Sequence, residues 1–206
     1  MFTLSQEFIK SNKYDLYFDN LPDIIVSNFL AGNISSLSAV LVRWTNNIAI
    51  NKSWYKVLVN NDCKYKELKY DAFICTIAHE LTHIKYLDVK RELYNNYNIS
   101  RSSLICSNNK KFIKWIDEIK ADFGIYNYCK NYISLEQIRI KLVNSILFKM
   151  LYQKKIKSYN THPSWTLRLY YAQSYYFNEE LIDVIACECK CNNFKLINAI
   201  KDIYLE

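Results

Sequence analysis

Along most of the chain, apolar and polar positions alternate with the period of a helix. Residues 2–31 read as mostly helical, with Pro22 in the first turn of a helix over 24–30. The stretch "SAVLVRWTNNIAIN", residues 38–51, breaks that period. Its two β-rich runs flank the turn-forming Thr45-Asn46-Asn47 and predict a hairpin. Helical spacing returns over about 69–90, then over 111–130, 134–155 and 163–177, with one or two further helices in the tail, 178–206. On the 69–90 helix, Tyr70, Phe73, Ile74, Ile77, Leu81 and Ile84 fall in one stripe about 100° wide, expected to face the core. The fold class expected is α+β, mostly helical, with one small early sheet. The absence of a linker or repeat predicts a single domain over 1–206.

Composition sharpens this picture. The 206 residues include only two glycines and two prolines, too few for the tight turns of a sheet-rich fold. The net charge of +7 comes from scattered lysines; the densest stretches, Lys110-Lys111 and Lys154-Lys155 with Lys157, read as solvated helix ends, so no nucleic-acid partner is expected. No apolar run approaches the roughly 18 residues of a membrane span. Gln6 and Glu7 interrupt the apolar stretch a signal peptide would need, which predicts a cytoplasmic protein. Seven cysteines without an export signal read as reduced thiols. Cys187, Cys189 and Cys191 in "CECKC" lack the second cysteine pair of a zinc knuckle. A thiolate there capping a metal is one reading; the other is a closing helix in which Leu181, Ile182, Ile185, Leu196, Ile197 and Ile200 cover the core.

The chemistry centres on "TIAHELTHIKY", residues 76–86. On a helix, His79 and His83 at i and i+4 can both reach one metal ion, on the side opposite the apolar stripe. Glu80 is carried away from the ion by the turn, where it can hold a water and act as general base. A catalytic zinc site needs a third protein ligand and one open position. Position 89 is valine, so the pattern that ends in a third histidine is excluded. "WIDEIKADFG", residues 115–124, offers Glu118 as that ligand, with Asp122 four residues on to orient a metal histidine. Small Ala121 would let the two helices pack closely, and Asp117 or Glu92 could substitute for Glu118. In "YNTHPSWTLRL", residues 159–169, Thr161 is a plausible N-cap with Pro163 in the first turn. His162 could donate to an oxyanion or simply brace that cap. Arg168 could pair with Asp122, with Glu118 or with a substrate carboxylate.

Taken in order, H-E-L-T-H, E-I-K-A-D and T-H-P-S-x-x-x-R-L resemble the gluzincin zinc metallopeptidases of the HtpX and CAAX prenyl protease type over about residues 38–170. That resemblance implies a zincin-like domain with one zinc ion held by His79, His83 and Glu118. It implies Glu80 as general base, Asp122 behind the ligands, His162 and Arg168 in support, and a peptide or protein as substrate. It also implies that the strand ending "IAIN" rims the substrate cleft. The best-known members are integral membrane proteins and this chain has no span, so a membrane substrate is not implied. The spacing is also similar to the Lit-type phage-exclusion peptidases and, more loosely, to the ImmA/IrrE peptidases that act on repressors. The reading from another class is a non-catalytic or latent zinc-binding regulatory protein working through a partner. Oligomeric state is not legible.

Overall fold

The structure, a computed structural model, describes residues 2–31, 39–42, 47–60, 65–86, 89–153 and 161–205. It is α+β and mostly helical. A four-stranded sheet has the order β1-β2-β4-β3, with β1 Phe2–Thr3, β2 Ile24–Val26, β3 Ala39–Val42 and β4 Asn47–Ile50. The expected hairpin is present: β3 and β4 run antiparallel with Ala39 opposite Ile50 and Val42 opposite Asn47. Asn47 is therefore strand, and the connecting residues 43–46 lie outside the described residues.

Two expectations about this region are corrected. Residues 24–30 do not form one helix. Ile24–Val26 pairs parallel with β4, Ile24 opposite Ile48, and only Asn28–Ala31, α2, is helical. Ile24, Val26, Ile48 and Ile50 are fully buried, so sheet pairing and burial of β-branched side chains override the local helical reading. Further, β4 has a strand on each side and cannot rim a cleft. The outer edge belongs to β3, which has no second strand partner among the described residues.

The centre of the molecule is α4, Lys66–Lys85. Around it pack α3 (Lys52–Val59), α7 (Ser107–Phe123), α8 (Ile125–Cys129), α9 (Leu135–Gln153) and β3. The expected one-sided stripe is thus corrected. Residues 71–79 are buried on every face, His79 included, while Leu81 and Ile84 near the helix end are only half-buried. Such a helix must satisfy its polar groups internally. Lys69 is fully buried, and its ammonium donates to the carbonyls of Val57, Leu58 and Asn60 at 3.1, 3.1 and 2.8 Å, closing the end of α3. Asp71 takes Lys141 at 2.6 Å and Asn144 at 2.9 Å from α9.

Helix bounds differ from the expected ones where backbone caps intervene. Tyr86, at φ −111° and ψ 25°, closes α4; residues 87–88 lie outside the described residues, and α5 is Val89–Asn95. The helix expected over 111–130 starts earlier and breaks at Gly124 into α7 and α8. The end of the 134–155 helix beyond Gln153 lies outside the described residues, as do Lys154, Lys155 and Lys157. Before α7 lies the short α6, Arg101–Ile105; α1 is Gln6–Ser11. After α9 come α10 (Trp165–Ser174), α11 (Glu179–Glu188) and α12 (Phe194–Leu205). The six apolar tail residues named above are all buried, as the closing-helix reading expects. Lys120 donates to the Tyr204 carbonyl at 2.6 Å and fastens α12 onto α7. No helix among the described residues is long and apolar enough to cross a membrane.

Gly124 sets how closely α7 approaches α4. A Cβ there would lie 1.9 Å from the Thr82 hydroxyl and 2.9 Å from the Ala121 carbonyl. Thr82 is itself held by its 2.7 Å bond to the Ala78 carbonyl, so it cannot swing away without losing that partner. Gly124 has a helical φ of −55°, where alanine alone would gain roughly 0.5–1 kcal/mol of helix propensity. Overpacking outweighs that gain. Gly124→Ala is expected to lower stability by about 1–3 kcal/mol in urea unfolding by forcing α7 away from α4.

Candidate metal centre

Helix α4 presents His79 and His83 one turn apart, and α7 presents Glu118 and Asp122 in the same relation. Because α7 packs directly on α4, the four side chains meet. His79 Nε2 and His83 Nε2 are 3.1 Å apart. Glu118 Oε2 lies 3.7 Å from His79 Nε2, and Oε1 lies 3.7 Å from His83 Nε2. Tetrahedral zinc with bonds of about 2.0–2.1 Å separates neighbouring ligand atoms by roughly 3.3 Å, so the observed spacings bracket what one ion requires. Two imidazoles and one carboxylate are also a donor set that zinc favours. Among the described residues, His79, His83 and Glu118 are the one group that converges closely enough to hold a metal ion.

Asp122 stands behind this group. Its Oδ1 is 3.0 Å from His79 Nδ1, which leaves Nε2 free to face the centre. Arg168 on α10 donates from Nε to Asp122 Oδ2 at 2.6 Å and from Nη2 to Oδ1. Of the three partners open to Arg168, the fold selects Asp122. Both side chains are buried, and the guanidinium also stacks 4.0 Å from the Trp165 ring centroid, one turn earlier on α10.

The electrostatics follow from burial. Burial pushes His79 down to about 3, against the pull of Asp122, and lowers His83 as well. Both imidazoles are therefore neutral and ready to ligate at neutral pH. Burial raises Glu118, with Arg168 and His83 opposing. For Asp122, burial acts upward, but the Arg168 charge and the His79 bond outweigh it and hold the carboxyl below its ordinary range.

His162 arrives from the segment before α10. Its Nε2 is 3.4 Å from Glu118 Oε1, and its Nδ1 is 2.8 Å from the Thr161 hydroxyl. Its side chain stays 55% exposed, so it stands at the mouth of the site. The N-cap is corrected: Ser164 caps α10 by accepting from Leu167 N at 3.2 Å, and Pro163 precedes the cap. Asp117 turns away from the centre and accepts a hydrogen bond from the Tyr204 hydroxyl. Neither it nor Glu92 on α5 joins the converging group. Cys189 and Cys191 are buried, Cys191 donating to Asn109 Oδ1 at 3.2 Å, while Cys187 is exposed; none of them is in that group.

A cleft of about 390 Å³ opens over the centre, with Glu80, Thr76, Trp165 and the edge-strand residues Ala39 and Val40 in its walls. Lys149 on α9 is the lining residue that pattern reading missed, although it left a trace. Leu142, Ile146 and Lys149 sit at i, i+4 and i+7, so the lysine occupies a position that the apolar stripe would otherwise fill.

Two outcomes are expected. Glu118→Ala should weaken zinc affinity about tenfold or more in competition with a chromophoric chelator, and Asp122→Asn should weaken it by roughly 10–100-fold with the ligand count unchanged. The second concerns pH. An unfolded histidine protonates near 6.5, whereas His79 in the fold does so only near 3. Between those values unfolding takes up protons, so metal-free protein should lose stability as the pH falls below about 6.5. Glu118, raised above its ordinary 4.5, works in the opposite direction but against two imidazoles. Urea unfolding at several pH values should show this loss; zinc should add stability at each pH, and add less as the pH falls and protons compete for the ligands.

No model of a known protein family, no curated protein and no solved structure matches this chain.

Proposed function

We propose that the protein is a zinc-dependent endopeptidase of the gluzincin kind. The observation that carries this reading is the convergence of His79, His83 and Glu118 on one point, with His79 oriented by the buried Asp122–Arg168 pair. The cleft beside that point supports catalysis over a closed structural site, because Glu80 and His162 line it without belonging to the ligand group.

Zinc held by His79, His83 and Glu118 would supply a Lewis acid at that point, making water there acidic enough to give up a proton near neutral pH. Each remaining task falls to this chain. Glu80 follows His79 directly and so lies off the ligand face; its carboxylate accepts the proton of the attacking water and returns it to the leaving amine. His162 donates from the mouth of the cleft to the developing oxyanion. Asp122 keeps the His79 ring in its ligating tautomer, and Arg168 keeps Asp122 ionised. The outer edge of β3, which no other strand covers among the described residues, could offer backbone donors and acceptors to an extended substrate, which would add to the sheet as a further strand.

Glu80→Gln is the decisive variant. It should bind one zinc per chain as the parent does, yet lose roughly 10²–10⁴-fold in cleavage of a broad peptide library, with chelator-treated parent as the control. Undiminished cleavage would remove Glu80 from the mechanism. Stoichiometric zinc in a parent that cleaves nothing would instead favour the zinc-binding regulatory protein.

A further inference from the structure

Lys149 is only 7% exposed and lines the cleft over the candidate metal centre. Its ammonium lies 5.7 Å from the Trp165 ring centroid and has no hydrogen-bond or ion-pair partner among the described residues. The other deeply buried lysine, Lys69, is satisfied by three carbonyls, so this fold can provide for a buried ammonium where the role is structural. A buried cation without a bonded partner costs free energy, and burial, with Arg168 in the same sense and Asp122 and Glu80 opposing from a distance, lowers the Lys149 pKa. A carboxylate entering the cleft would give it the missing partner.

The surroundings extend the same preference. His83 is shared between the cleft and a second hollow of about 390 Å³, whose walls include Lys90 and Lys114 together with Asp117. Lys114 is shared in turn with a third hollow of about 510 Å³, which adds Lys110 and Lys111. None of these four lysines forms an ion pair among the described residues. In the hollows, Asp117 is the one acidic side chain, and its carboxyl, raised by burial, is taken up by the Tyr204 hydroxyl. In the cleft, Glu118 would be neutralised by a metal and Glu80 is reserved for proton transfer. Lysines thus outnumber carboxylates in the hollows beside the site, where Asp117 faces Lys90 and Lys114.

We propose that the cleft takes acidic peptide segments. Lys149 receives an Asp or Glu side chain of the substrate close to the scissile bond, and Lys114, Lys110 and Lys111 hold further carboxylates in those hollows. This rests on the peptidase reading for the word substrate, but the binding preference can be measured without turnover.

The test uses the zinc-loaded full chain carrying Glu80→Gln and three fluorescein-labelled ten-residue peptides. One is rich in glutamate, the second has glutamine in its place and the third has lysine. In fluorescence anisotropy the glutamate peptide should bind at least about tenfold more tightly than the glutamine one, with affinity falling as salt rises. Lys149→Met should cost the glutamate peptide roughly 30-fold and the glutamine peptide nothing. The same change should raise the melting temperature, as expected when an unpaired buried charge gives way to a side chain of similar volume. Lys114→Glu, at a half-buried position in the walls of both hollows, should cost the glutamate peptide about fivefold and serves alone if Lys149→Met does not fold.

Equal binding of the glutamate and glutamine peptides, or an equal loss for both in Lys149→Met, would overturn the proposal. So would a single-stranded oligonucleotide of equal charge displacing the glutamate peptide at lower concentration than unlabelled peptide does. The zinc-loaded parent, incubated with the same peptides, separates the two readings. Selective binding without cleavage sinks the peptidase and leaves the acidic preference; indifferent cleavage of all three does the reverse.

Discussion

The Asp122 carboxylate joins three helices drawn from distant parts of the chain. It rides on α7, receives His79 from α4 and is clamped by Arg168 from α10. All three groups are buried, so each depends on the others. A guanidinium or carboxylate left alone at such a site typically costs about 3–5 kcal/mol. That penalty fixes the mutual position of the helices, and with it the candidate ligands. Glu118 is one turn before Asp122, and His83 is one turn after His79, so clamping one pair of turns brings the other pair together.

The surrounding packing keeps this arrangement rigid. Gly124 removes the side chain that would hold α7 off α4, and Thr82 fills the space. On the far side, α9 binds α4 through Asp71, while Lys69 ties α4 to the end of α3. The tail helices secure α7 from outside through Lys120 and through Tyr204, whose bond to Asp117 points that carboxylate away from the ligands. Buried polar groups that are fully bonded in this way specify one arrangement of helices, because any slip leaves several of them unsatisfied.

Chemically, the site divides its charges by task. Asp122 is kept ionised by Arg168, and His79 is kept neutral by burial despite its bond to that carboxylate. Ala39 and Val40 of β3 line the cleft, and Lys149 is buried in its wall. Each follows from placement rather than from residue type. Lys110 and Lys111 read in isolation as a solvated helix end, yet the fold sets them in the wall of a hollow that shares Lys114 with the one beside His83.

The sequence by itself determined the later helices, the 38–51 hairpin, the closing tail and the pairs His79 with His83 and Glu118 with Asp122, because these rest on spacings of two, three and four along one chain. Such local geometry is largely independent of what packs around it. Only the tertiary structure decided that residues 24–26 are a strand, since a parallel partner 24 residues away supplies their hydrogen bonds. It alone decided that β3 is the cleft edge, that Asp117 and Glu92 stand aside, and that Arg168 takes Asp122. It also set Lys149 in the wall of the cleft, at a position on α9 that the apolar stripe would otherwise have filled. These choices depend on burial, on which chain segments become neighbours, and on the cost of an unpaired charge, none of which is a property of sequence spacing.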